Sequence, residues 1–93
     1  MSKAQVDRLK LIWKEERLSA PWLAERTGID VDRWRSVESG RVEIRGSEIE
    51  QISILFPEYG YWLATGLELP EAGQISPMTK RAHTSLKTGP QAG

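Results

Sequence analysis

Residues 19–40 constrain the fold most, because their local signals fit two short helices joined by one tight turn. Ser19 is a good N-cap, since its hydroxyl can accept from an orphan backbone N–H, and Pro21 falls in the first turn, where a missing N–H costs nothing. The helix so begun runs through Trp22, Leu23, Ala24, Glu25 and Arg26 and stops at Gly28, which can take the left-handed conformation that ends a helix. Asp30 caps the next helix, Val31 to about Glu38, and Ser39-Gly40 closes it. Two short helices around a glycine turn make a helix-turn-helix unit.

The flanking segments supply a core for that unit. A helix is expected from about Ser2 or Ala4 to Arg17, with Val6, Leu9, Ile12 and Trp13 on one stripe. Residues 41–46 alternate polar and apolar, a pattern open to a short strand, but Ser47 and Glu50 resemble a capping box and favour an ordered loop before a fourth helix. Ile49, Ile52, Leu55 and Phe56 form the inward stripe of that helix, and Pro57 breaks it or begins the next turn. Tyr59, Tyr61, Trp62 and Leu63 belong to a fifth helix ending at Thr65-Gly66, and some of this aromatic surface is expected to build a dimer contact. Beyond Gly66, repeated proline and glycine predict a poorly structured tail, residues 67–93, able to serve as a dimerisation or DNA-contacting arm through Lys80, Arg81 and Lys87. Residues 1–66 are then the folded domain.

Composition narrows the function. With 93 residues there is room for one core, and 39% hydrophobic with 28% charged residues is ordinary for a globular chain. No cysteine is present, so no disulfide framework, thiolate metal site or cysteine nucleophile is available. Neither a signal peptide nor a run near the ~20 apolar residues of a membrane span is seen, so the expectation is a cytoplasmic protein without membrane contact. His83, the one histidine, stands in the tail beside Arg81, and Glu48, Glu50 and Glu58 read as a solvated acidic face. No enzyme, metal site or cofactor is expected. Charges cancel overall but not locally. Residues 18–46 hold five basic and five acidic side chains, 47–71 five acidic and no basic, and 72–93 three basic and no acidic.

Leu18-Ser19, Leu23-Ala24, Gly28-Ile29, the apolar pair Trp34 and Val37, and Glu38-Ser39-Gly40 together resemble the lambda-repressor-like (Cro-type, XRE) helix-turn-helix family. Without gaps the likeness continues through Ile49, Ile52, Leu55 and Trp62-Leu63-Ala64-Thr65-Gly66, and covers roughly residues 8–66. It implies an all-α, compact five-helix domain whose recognition helix, residues 31–38, enters the major groove of double-stranded DNA. With Trp34 and Val37 inward, the outer face presents Val31, Asp32, Arg35 and Ser36, with Arg33 at the flank; these are the candidate base readers. Arginine can grip guanine bidentately, aspartate can accept from cytosine, and valine can meet a thymine methyl. Phosphate contacts are expected from Ser19, Arg41, Arg45 and the backbone N–H groups of Ser39 and Gly40. Relatives pair an arginine of the first helix with the glutamate before the glycine; the matching position is Trp13, so Glu38 is expected to turn to Arg41 or Arg17.

The resemblance further implies a bacterial or phage transcriptional repressor, a homodimer on a pseudo-palindromic operator, without excluding a regulatory protein partner. The rival is an interaction module or antitoxin-like regulator that keeps the fold without reading bases, which zero net charge and the acidic pair Asp30 and Asp32 favour. Trp13 and Trp34 are expected in the core, Trp62 in the core or a dimer contact, and Trp22 is the ring expected to be most exposed.

Overall fold

The computed structural model of the chain describes residues 3–88, and their side chains through residue 84. Six α-helices account for most of them: α1 (Lys3–Glu15), α2 (Ala20–Thr27), α3 (Val31–Glu38), α4 (Gly46–Leu55), α5 (Gly60–Thr65) and α6 (Pro77–Thr88). Extended pairing among the described residues is limited to one isolated antiparallel bridge between Leu69 and Gln74. The all-α expectation therefore holds, and residues 41–45 form a loop, not a strand.

The core is one cluster drawn from every helix of the expected five. Val6, Leu9 and Ile12 of α1 meet Leu23 of α2, Trp34 and Val37 of α3, Ile52 of α4, and Trp62 and Leu63 of α5. Burying a side chain of this size stabilises by about 1.5–3 kcal/mol. Trp34 is completely buried, whereas Trp13 and Trp22 are half-buried at the cluster's edge. Tyr59, Trp62 and Leu63 are buried within this core, so the aromatic surplus expected at a dimer contact is used internally, with only Tyr61 half-exposed.

Left-handed residues close several of these helices, Gly28 after α2 and Gly66 after α5 among them. At Arg17 (φ 55°) Leu18 N–H reaches back to Trp13 C=O at 2.9 Å and Arg17 N–H to Lys14 C=O at 3.3 Å, closing α1 without a glycine. Gly40 (φ 83°) closes α3 in the same way, with Arg41 N–H on Ser36 C=O at 3.0 Å.

The segment after Gly66 corrects the expectation of a poorly structured tail. Its described part, residues 67–88, makes a turn at Pro70–Ala72 and then α6. Polar side chains hold it to the domain. Gln74 accepts from Tyr61 N–H at 2.9 Å and donates to Pro57 C=O at 2.9 Å, while Ile75 N–H bonds Glu58 C=O at 2.8 Å. Glu68 accepts from Ser76 N–H and from the Thr79 hydroxyl, both at 2.7 Å, and these bonds hold its carboxyl below the usual range. Ser76 caps α6 by accepting from Thr79 N–H at 3.2 Å, and Pro77 occupies the first turn.

Helix α6 is then clamped to α1. Lys80 reaches Glu16 and Glu58 at 2.8 Å each, Arg81 reaches Glu15 at 3.0 Å, and Tyr59 donates its hydroxyl to Glu16 at 2.6 Å. Burial pushes the Glu16 carboxyl up, but the hydrogen bonds from Lys80 and Tyr59 outweigh it and leave the group below its ordinary value. Burial beside these carboxylates drives the Tyr59 phenol well above its ordinary value. Lys80 and Arg81, expected as DNA-contacting residues of a mobile arm, are therefore ion-paired within the fold; the Lys87 side chain lies outside the described residues. Glu58 likewise lies in an ion pair and is not part of a freely solvated acidic face.

Candidate nucleic-acid interface

Helix α3 owes its placement to anchors on its inner side. The Trp34 and Val37 side chains are fully buried, and the Trp34 indole N–H donates to Thr27 Oγ1 at 3.1 Å. That same hydroxyl donates to Leu23 C=O at 2.7 Å and accepts from Ile29 N–H at 3.2 Å. One threonine thus ties the end of α2, the glycine turn and the third helix together. The turn itself is as expected: Ser19 accepts from Trp22 N–H, Gly28 is left-handed at φ 77°, and Asp30 accepts from Asp32 N–H at 2.9 Å. Thr27 escaped the sequence reading, although a buried indole needs an acceptor and Thr27 lies seven residues before Trp34, on the facing helix.

The outer face brings together Asp32 and Arg35, both exposed, with Val31 and Ser36 half-exposed beside them. Arg35 and Asp32 form a loose pair at 3.6 Å with side-chain exposures of 59% and 84%. A pair so exposed contributes at most about 1 kcal/mol, so either partner can leave it for a better one.

Arg33 is placed differently from the other expected base readers. Its guanidinium binds the Glu48 carboxylate through Nε and, at 3.1 Å, through Nη2, and Nη2 also donates to Glu43 C=O at 2.8 Å. The hydrogen bond from Glu48 raises the arginine's affinity for its proton still further. Glu48 is only 1% exposed and also accepts from Arg45 N–H at 2.7 Å. Both the solvated-face reading of Glu48 and the Ser47–Glu50 capping box are thereby corrected. The carboxylate that caps α4 is Glu48, three residues after the N-cap Arg45, and burial is tolerated because its oxygens are bonded. A charged pair linking α3 to α4 is long-range and left no local signal.

The loop after α3 carries the expected phosphate residues. Ser39, Gly40, Arg41 and Arg45 are exposed, as is Ser19 at the start of α2. The N–H groups of Ser39 and Gly40, expected to face phosphate, instead bond Arg35 and Val37 carbonyls at 3.0 Å and close α3. The Arg41 and Arg45 side chains are the polar groups left for an anion there. Among the described residues no ion pair joins Glu38 to Arg17 or Arg41. Trp22 is half-buried and packs locally; its ring lies 6.3 Å from the Phe56 ring, with the Arg26 guanidinium 5.0 Å from its own centroid. Among the described residues no helix is long and apolar enough to cross a membrane, and no cluster of three or more potential metal ligands occurs.

No family model matches the sequence. The chain is 30% identical over 95 aligned residues to repressor protein C of Escherichia phage P2, across 100% of this chain and 96% of that protein. Its structure is similar to that of Pf6r from the filamentous phage Pf6 of Pseudomonas aeruginosa, with a TM-score of 0.75 and 30% identity over 89% of this chain and 96% of the other.

Proposed function

This chain belongs to the family of phage repressors, helix-turn-helix regulators, and on that premise we propose that it represses transcription by binding a double-stranded DNA operator through α3 in the major groove. The observation that carries the reading is the division of α3 into two faces. Trp34 and Val37 hold it rigidly from within, while Asp32 and Arg35 stand exposed on the other side with Val31 and Ser36. A short helix held on one side and free on the other can enter a groove about 12 Å wide without unfolding its support.

In this reading Arg35 and Asp32 separate on contact. Arg35 takes the O6 and N7 acceptors of a guanine, Asp32 a cytosine amino group, and Val31 a thymine methyl. Arg41, Arg45 and Ser19 meet phosphates on either side of the groove. Arg33 does not read bases; it holds α3 to α4 through Glu48. The binding unit is a homodimer on a pseudo-palindromic operator, with half-sites about one DNA turn apart.

Selection from a randomised duplex pool at two salt concentrations tests the proposal. Enrichment of a paired half-site, with affinity falling steeply as salt rises, is the expected result. Weak, salt-labile binding with no enriched sequence sinks it and favours the protein-interaction module. Enrichment of a single unpaired site keeps base reading but removes the dimer.

A further inference from the structure

The cations of this chain divide into those with partners and those without. Among the described residues, Arg8 donates to the Leu63 and Ala64 carbonyls, Arg33 binds Glu48, Arg35 pairs with Asp32, and Lys80 and Arg81 bind carboxylates. Lys14, Arg17, Arg26 and Arg45 enter no ion pair within 4.0 Å, and nor do Lys3, Lys10 and Arg41. The last three line one cleft, between the first half of α1 and the loop that leaves the recognition helix.

We infer that this cleft is a second phosphate seat, in which Lys3 and Lys10 of α1 join Arg41 on the sugar-phosphate backbone of the bound duplex. The inference rests on the DNA-binding reading and extends it to a helix with no part in base reading. Its geometry turns on Gly40. The left-handed backbone there carries no side chain, and the Lys10 ammonium stands 3.8 Å from where a Cβ would project. A lysine of α1 is thus held over the first residues after α3, beside Arg41.

The outer wall of the cleft is also fixed, because Glu43, which lines it, has its C=O held by Arg33. The network that sets the pitch of α3 therefore sets the distance from α3 to the seat. Asp7 and Glu43 line the same cleft, yet neither comes within 4.0 Å of the three cations. Three cations against two carboxylates leave the cleft positive in a chain whose formal net charge is zero. In this proposal a strand at the groove edge follows residues 39–43, where Lys10, seated over Gly40, is the cation beside Arg41.

The rival explanation is a solvated helix face on which Lys3, Asp7 and Lys10 alternate at spacings of four and three. The two accounts part on salt dependence. Each phosphate contact removed lowers the slope of log affinity against log salt by about 0.9. The experiment uses the full chain and the duplex chosen by selection, with wild type, the double variant Lys3→Gln/Lys10→Gln, Lys14→Gln and Asp7→Asn, each checked for an unchanged unfolding midpoint. The double variant is expected to lower the slope by about 1.8 and to weaken binding about equally on matched and mismatched sites. Lys14→Gln, on α1 but outside this cleft, is expected to leave the slope unchanged. Asp7→Asn is expected to tighten binding several-fold.

A double variant with the wild-type slope overturns the seat while leaving base reading intact. So does a Lys14→Gln slope loss of half that of the double variant, the share of one lysine, which would reduce the effect to net charge. If wild type selects no sequence at all, the DNA-binding reading fails and the seat falls with it.

Discussion

Helices α3 and α6 are both amphipathic and both carry basic side chains, but the two use charge in opposite ways. On α3 the exposed cation, Arg35, has only a loose surface partner, and the half-buried one, Arg33, is tightly bound. On α6 Lys80 and Arg81 are turned onto carboxylates of α1 and of the Pro57–Tyr59 turn at 2.8–3.0 Å. One helix keeps charge available for a ligand; the other uses it to dock. A positive residue in the sequence therefore says little about DNA until its carboxylate neighbours are known, and here those neighbours come mostly from distant segments.

Arg33 and Arg35, two residues apart, test this contrast within one helix. Arg33→Ala leaves Glu48 buried and unpaired, and its cost should be about 3 kcal/mol, the largest effect expected here. For a domain of this size that lowers the thermal midpoint by roughly 15 °C. Replacing both partners, Arg33→Met with Glu48→Leu, should recover much of the loss, because no lone charge remains. Equal melting of the single and double variants would show that the pair is not what holds α3 to α4. Arg35→Ala should do the reverse. Stability should stay within about 0.5 kcal/mol of wild type, while affinity for the selected duplex falls by about 1–3 kcal/mol, a loss of roughly five- to 150-fold. If Arg35→Ala binds normally, the exposed face of α3 is not the reading face.

The same contrast explains what was legible in the sequence. The caps of α2 and α3 join residues two or three apart, Asp30 to Asp32 and Ser19 to Trp22, so residue type and spacing suffice to find them. Lys80 and Glu16 are 64 residues apart, and Arg8 and Leu63 are 55 apart; no local pattern marks either bond. Helix α6 is the instructive failure. Ser76-Pro77 carries the start signal that Ser19 and Pro21 carry for α2, yet with few apolar residues following, Pro77 reads as a breaker. What orders the helix is a set of polar side chains: Glu68, Gln74 and Lys80. In the candidate site, Val31, Asp32, Arg35 and Ser36 follow from helical period once Trp34 and Val37 face inward, whereas the inward turn of Arg33 depends on Glu48, fifteen residues away.

Docking of α6 should depend on pH. Glu16 is held below its ordinary value near 4.5, so its contribution is complete above that pH and is lost as pH falls through the lowered value. Lys80 is held above its ordinary value near 10.5, the hydrogen bonds to Glu16 and Glu58 outweighing burial. Its contribution is complete below that pH and is lost as pH climbs through the raised value. Amide exchange in residues 77–88, taken relative to the unstructured rate at each pH, should therefore accelerate below about pH 4.5 and above about pH 10.5, before α3 opens. Lys80→Met should produce the same acceleration at neutral pH and cost about 1 kcal/mol. Simultaneous loss of protection in α3 and α6 would mean the two regions open as one unit and would end the comparison.

The smallest effect is expected at the junction between the two regions. Arg17 ends α1, follows the glutamate that receives Lys80, and leads through Leu18 to the cap of α2. Its left-handed φ of 55° costs an ordinary residue about 1 kcal/mol, which glycine avoids. The Arg17 side chain is exposed and enters no ion pair among the described residues, so little else is lost on substitution. Part of the gain is offset by the extra freedom glycine has in the unfolded chain. Arg17→Gly should therefore raise stability by about 0.5 kcal/mol, seen as a thermal midpoint up by roughly 2–4 °C, with DNA affinity and the protection of α6 unchanged. A lower midpoint would mean that the Arg17 side chain holds the junction through its own contacts. A loss of DNA affinity at an unchanged or higher midpoint would make Arg17 one more phosphate ligand, on the side of the groove that Ser19 faces.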